Sequence, residues 1–305
     1  MKKLFIALLA IVLVSCSQDQ NELVMPVATT TSSVLEGKLL SYKDDESFIK
    51  EYSALAEMKS SKDVQEWISK KGHSSLLNSS KFSSEFQDIV VNDRRIIYSN
   101  ALKAILNNES KFKINGKLLW LEGINIYELN TENKYKNDLD LRKIINDLKI
   151  YGSVFNANSR TKKGLEDSAG RLTIPNINGR SFTYTNSANE KRYNMIIYNE
   201  TIVVNNVSSS KMYLNAYMTY KSCSFWRCTY KEDTTTGRWI SFDITIQQPW
   251  FSEVISGFGQ VYRGTGSQTI LLATMGIGPY QSFDFNIDGN VRMQVSNGFD
   301  WTQTF

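Results

Sequence analysis

Between residues 181 and 295 the chain repeats one pattern: a short apolar-rich run, then polar turn residues, then another run. The runs are Ser181–Tyr184, Arg192–Tyr198, Thr201–Asn205, Lys211–Ser222, Thr229–Lys231, Arg238–Gln247, Gly259–Arg263, Thr269–Ala273, Gln281–Ile287 and Asn290–Val295. Several alternate strictly: Ile240, Phe242, Ile244 and Ile246 take one side, Ser241, Asp243 and Thr245 the other. A period of two places one row in a core and the other in water, as in a strand. Many such strands in succession predict an all-β, sandwich-like domain over residues 151–305.

Residues 34–150 differ. Val34 to Tyr42 reads as a first strand, and Asp44-Asp45 then opens a helix with Phe48, Tyr52, Leu55 and Ala56 on one face. Ser61 is placed to cap a second helix carrying Val64, Trp67 and Ile68. A helical pattern runs from Ser83 through Phe86, Ile89, Val90, Ile97, Ala101, Leu102, Ile105 and Leu106, with a break expected near Asn92-Asp93. Asn115-Gly116 between Lys111–Ile114 and Lys117–Leu121 predicts a tight hairpin, which Ile124, Ile126 and Leu129 extend. A last helix is expected from Asp138 to Lys149. The predicted class is α+β: a mixed helical and hairpin region, residues 34–150, followed by the sandwich-like domain.

The N-terminus sets the compartment. Residues 1–15 combine Lys2 and Lys3, an apolar run from Leu4 to Val14 and the small Ser15, the layout of a signal peptide. The run is well short of the roughly 20 residues that span a bilayer as a helix. Cys16 follows at the expected cut and is the predicted lipidation site, so membrane attachment is expected through an N-terminal lipid. Residues 16–33, the lipidated cysteine and a polar segment, read as a tether reaching up to roughly 50 Å when extended.

Composition removes several functions. A net charge of +4, to which Lys2 and Lys3 contribute, is too weak and too dispersed for nucleic-acid binding. The single histidine, His73, rules out a zinc site built from several histidines, and its place after Gly72 predicts a solvated helix end. No catalytic residue, metal site or cofactor is predicted. Gly257, Gly259, Gly264 and Gly266 lack phosphate-loop spacing and read as turns and bulges.

Leu13-Val14-Ser15-Cys16 resembles a bacterial lipobox. With the polar tether, a Gly-Lys-Leu strand feeding a helix, Ala104-Ile105-Leu106-Asn107 leading to Lys113-Ile114-Asn115-Gly116, and the β-rich C-terminal half, the chain resembles secreted lipoproteins of Bacteroidetes that carry a domain of unknown function. The resemblance implies an outer-membrane anchor with the folded part at the cell surface. It also implies that Asp167-Ser168-Ala169 and Asp233-Thr234-Thr235 can carry O-glycans. It brings no activity with it.

Four residues separate Cys223 and Cys228, which lie between strand-like segments in an exported chain, and this predicts a cross-strand disulfide. The loop is short, so the bridge would contribute only about 2 kcal/mol. Phe225, Trp226 and Arg227 inside it form a candidate ligand-binding tip, although an aromatic ring folded back over the end of the sandwich is the simpler reading. Asp284 to Asn290 begins like a calcium loop, but Val295 stands where the bidentate glutamate belongs. A hairpin turning at Asp288-Gly289 accounts for the same residues. Trp226, Trp239, Trp250 and Trp301 supply rings suited to sugar stacking as well as to a core.

The expected function is non-enzymatic binding of an extracellular glycan or protein ligand by a lipid-anchored surface protein. A hydrolase using acids such as Asp243, Glu253 and Asp284 is the alternative. A membrane-active protein deploying Ile270–Gly278 is another, although that run reads more simply as a buried strand.

Overall fold

Capping chemistry starts the N-terminal elements. The Asp44 carboxylate accepts a hydrogen bond from the Ser47 amide at 2.8 Å and opens α1, Asp45–Ala56, whose Phe48, Tyr52 and Leu55 are buried. Ser60, not Ser61, caps α2, Ser61–Lys71, by accepting from the Lys62 amide. The computed structural model describes residues 33–58, 60–79, 89–91, 94–96, 98–157, 180–186, 190–248, 251–261, 267–275, 286–296 and 298–304. Cys16, the Asp167-Ser168-Ala169 triplet, Trp250 and Asp284 lie outside the described residues.

The first strand is two strands. Ser33–Glu36 (β1) and Leu39–Tyr42 (β2) pair antiparallel, because Gly37-Lys38 turns the chain in the middle of the apolar run. Of the helical pattern expected from Ser83 to Leu106 with a break near Asn92-Asp93, residues 83–88 lie outside the described residues, and the rest forms the paired strands Ile89–Val91 (β3) and Arg94–Ile96 (β4) and one short helix, Asn100–Ile105 (α3). β-Branched Ile89, Val90, Val91 and Ile96 favour extended backbone over helix. The predicted hairpin is present as Lys111–Ile114 (β5) and Lys117–Glu122 (β6), with Asn115 and Gly116 at φ 50° and 72°. Asn125–Leu129 (β7) extends it. Helix Asp138–Lys143 (α4) ends earlier than expected; a 3₁₀ turn at Ile145–Asp147 then leads into Lys149–Ala157 (β8).

The remaining strands are Arg180–Asn186 (β9), Lys191–Val204 (β10), Val207–Ser224 (β11), Arg227–Glu232 (β12), Arg238–Gln248 (β13), Phe251–Val261 (β14), Ser267–Met275 (β15), Asn286–Val295 (β16) and Asp300–Thr304 (β17). Two predicted runs, Arg192–Tyr198 and Thr201–Asn205, are one strand, β10. Gly257 and Gly259 lie within β14, opposite Phe242 and Ile240, rather than in turns.

The hairpin turn predicted at Asp288-Gly289 is overturned as well. Both residues sit inside β16, paired with Thr245 and Ile244 of β13. Gly289 has φ 125°, and a Cβ there would run into the Asp243 carbonyl oxygen and the Ile244 Cα. The glycine permits a close backbone approach where a turn was expected.

The fold is β-rich. Eleven strands form one sheet in the order β1-β2-β5-β6-β7-β8-β10-β11-β12, with β9 also on β10 and β15 on β11. β2–β5 is its parallel pair. A second sheet follows the order β14-β13-β16-β17. The large sheet passes through residue 150, so the helical and β-rich regions share a sheet and a core.

On one face of the large sheet, Phe48, Tyr52 and Leu102 from the helices meet Leu119, Tyr198, Ile202 and Tyr213. On the other, Tyr193, Met195, Ile197, Met212 and Leu214 meet Ile240, Phe242, Val291 and Met293 of the four-stranded sheet, in a sandwich-like packing. A smaller cluster of Trp120, Tyr127, Leu141 and Leu148 places α4 against β6 and β7. β10 and β11 are therefore the central wall, and the four-stranded sheet turns its far face outward.

Gly289→Ala is expected to destabilise the protein by about 2–4 kcal/mol, through a positive-φ penalty and a clash with β13. Urea unfolding of the two proteins measures it.

Candidate functional site

Three places in the fold bear on function: a buried polar cluster, a disulfide-closed hairpin tip, and the outer face of the four-stranded sheet.

The buried cluster lies where α1 and α3 cross β10 and β11. Glu200, fully buried, accepts from the Tyr52 hydroxyl at 2.7 Å and from the Ser99 amide at 2.7 Å. The Tyr52 and Tyr213 hydroxyls are 2.9 Å apart. Burial pushes the Glu200 carboxyl above its usual range, against the opposing pull of the bonds from Ser99 and Tyr52. Lys211, the cross-strand neighbour of Glu200, donates to Thr274 at 3.0 Å, and burial lowers its pKa. A depression beside this cluster is walled by Leu55, Met58, Val64 and Ala101 and floored by Tyr213 and Thr269. Among the described residues, its lining carries no carboxylate, lysine, histidine or cysteine. These polar groups serve to satisfy one another inside a double-sided wall.

His73 is not at a solvated helix end. It is 7% exposed, its Nε2 donates to the Ala104 carbonyl at 2.6 Å, and its ring meets Trp67 edge-on. Burial lowers its pKa, so it holds α2 against α3 as a neutral ring. Asp233 is likewise inward-facing: Lys191 and Thr236 donate to one carboxylate oxygen, and the Thr235 amide and hydroxyl to the other. Its neighbour Thr234, the central residue of the second triplet expected to carry an O-glycan, is exposed.

The predicted disulfide is present. Cys223 and Cys228 face each other across β11 and β12 with Cα atoms 4.0 Å apart, and Ser224 pairs with Arg227 to close a two-residue turn. Phe225 and Trp226 form that turn, with 95% and 93% of their surfaces exposed and their rings 5.8 Å apart. The expectation that one ring folds back over the sandwich is overturned. A two-residue turn at the end of a long ribbon carries its side chains beyond any part of the body they could cover. For Arg227 the backbone pairing alone is described.

The outer face of the four-stranded sheet is the place that sequence reasoning missed. Strand alternation turns Trp239, Ser241 and Asp243 of β13 outward, with Asn290, Arg292 and Gln294 of β16, Asp300 and Thr302 of β17, and Val254, Ser256 and Phe258 of β14. Phe258 is 80% exposed and Trp239 44%. Phe258 pairs with Ser241 and Trp239 with Gln260, so the two residues are diagonal neighbours, whose backbones lie about 7–8 Å apart in such a register. Arg292 forks onto both oxygens of Asp300 and holds that carboxyl below its usual range. Ser256 donates to Asp243 at 2.7 Å.

Of the other predicted residues, Trp301 lies on the inner side, half-buried against the second core and 5.9 Å from Tyr184. Asp288 is exposed on the strand β16, so residues 286–290 run as a strand and not as a calcium-binding loop. Phe258 could have been found from the alternation of Val254, Ser256 and Phe258 with Ile255, Gly257 and Gly259, had the glycines been read as the narrow side of a strand.

Comparison with protein-family models, with curated proteins and with solved structures gives no match.

The raised pKa of Glu200 predicts a pH effect. The folded state holds the proton more tightly than the unfolded chain, whose glutamates titrate near about 4.3. Stability is therefore lost as pH rises from that value towards the folded pKa. Glu200→Gln is expected to flatten this decline as pH rises above about 4.3, which urea midpoints measured across the range will show.

Proposed function

We propose that this chain is an exported lipoprotein, anchored through Cys16 to the outer membrane with its folded part at the cell surface, that binds an extracellular oligosaccharide without chemically altering it. In this reading it is an α+β protein: the helices and hairpins of residues 34–150 buttress a sandwich-like C-terminal half that carries the binding surface. The observation that carries the proposal is the pair of exposed rings, Trp239 and Phe258, set among Asp243, Asn290, Arg292 and Gln294 on one sheet face.

Sugar rings offer two kinds of surface, flat patches of C–H bonds and a rim of hydroxyls. Aromatic faces take the first, and carboxylate, amide and guanidinium groups take the second. A β-sheet fixes their spacing better than a loop, because every residue's register is set by its strand neighbours. The acids on this face are already engaged, Asp300 by Arg292 and Asp243 by Ser256, which suits them to accept hydroxyl hydrogen bonds rather than to trade protons. The hydrolase alternative draws no support from Asp243 and Glu253: Asp243 lies on the open face, bonded to Ser256, and Glu253 pairs with Ile246.

A glycan array probed with the full chain tests the proposal. Binding to at least one oligosaccharide class is expected, with Trp239→Ala weakening it about tenfold or more while leaving the unfolding midpoint nearly unchanged. Absence of binding to every glycan, or binding indifferent to both Trp239→Ala and Phe258→Ala, would count against it.

A further inference from the structure

The hairpin tip is a different kind of surface from the sheet face, and the glycan reading makes no use of it. Phe225 and Trp226 project from a convex end, nearly free of protein contact. Such a tip cannot enclose a small ligand; it can only be inserted into something. From Tyr220 to Lys231 the ribbon carries Lys221, Arg227 and Lys231 and no acidic residue. Glu190, from the turn before β10, pairs with Lys221 at 2.7 Å, and the next acid along the chain is Glu232.

The ribbon is graded along its length. The turn bears the two apolar rings, the next pairs are Ser224 with Arg227, Cys223 with Cys228 and Ser222 with Thr229, and then come Lys221 with Tyr230 and Tyr220 with Lys231. At about 3.4 Å per residue, the tyrosine–lysine rows lie roughly 10–14 Å behind the last rung, Ser224 with Arg227. The interfacial layer on each side of a bilayer is roughly 5–8 Å deep, so a tip seated at the hydrocarbon edge leaves the tyrosine and lysine rows at or just outside the headgroups, where tyrosine is favoured and lysine is attracted to anionic lipid. Strand pairing holds out to Ser224 and Arg227, so the inserted backbone carries its own hydrogen bonds up to the turn. The disulfide stops the last rungs from fraying.

We propose that the Phe225–Trp226 tip inserts into the headgroup–acyl boundary of an anionic phospholipid bilayer, giving the folded body a membrane contact separate from the lipid on Cys16. Two inserted residues are too shallow to span or perforate the membrane. The contact fixes which side of the body faces the lipid and leaves the outer sheet face free.

The test uses tryptophan fluorescence of the full chain with vesicles of phosphatidylcholine and phosphatidylglycerol whose acyl chains are brominated near the headgroup. The wild-type protein is expected to be quenched, and Trp226→Phe, which keeps an apolar ring but removes the reporter, to lose most of that quenching. The Trp226 component is expected to be quenched less in vesicles of phosphatidylcholine alone. Phe225→Ser/Trp226→Ser, with an unchanged circular dichroism spectrum, is expected to bind unbrominated vesicles about tenfold or more weakly when Cys16 is not acylated. Equal fractional quenching of wild type and Trp226→Phe, or none in either, overturns the proposal. So does a double variant that binds vesicles as well as the wild type. None of these readings depends on whether the sheet face binds a sugar.

Discussion

The pairing of β10 with β11 is the interaction on which the rest of the structure depends. Fourteen consecutive rungs join them, from Lys191 opposite Tyr220 to Val204 opposite Val207. Along these rungs both faces are covered, by helices on one side and the four-stranded sheet on the other. A strand buried on both faces loses the usual alternation of apolar and polar residues, and β10 is accordingly buried almost without interruption. The polar residues it retains must then be satisfied internally. Asn199 accepts from Ser210, whose hydroxyl also meets Thr201, while Glu200 is held by Tyr52 and Ser99. The two Glu200 contacts join residues more than 100 positions apart and tie the helical region to the β-rich one.

A wall of this kind permits rigid display. The four-stranded sheet packs its inner face on the wall, so its outer face presents side chains at fixed spacing. β11 runs past the covered region as part of a two-stranded ribbon, and the disulfide closes its far end where no second layer supports it. The two aromatic surfaces arise from one cause, strands that outrun or turn away from the cores that hold them.

The sequence made some of this legible. Alternation in β13, the Asn115-Gly116 turn, the Asp44 cap and the Cys223–Cys228 bridge are each set by neighbours within a few residues, and each is present. The failures came where distant chain decides. His73 is buried because α3 comes to lie beside it, and Gly289 is a strand residue because β13 approaches it closely. Ile89 to Leu106 has apolar residues at helical spacing, yet β-branched residues and the Ser99 cap divide it into a hairpin and a short helix. The aromatic tip was located correctly and its exposure misjudged, because nothing local says how far a ribbon extends beyond its sheet. Phe258 was missed because its strand is recognisable mainly through its partner.

The central claim is that helices and strands share one wall and unfold as one body. Native-state hydrogen exchange tests it most directly. The account predicts that the amides of α1 and α3 and those of β10 and β11 exchange through the same global opening, with a common dependence on denaturant. Exchange of α1 and α3 through a separate, cheaper opening that leaves β10 and β11 protected would contradict it.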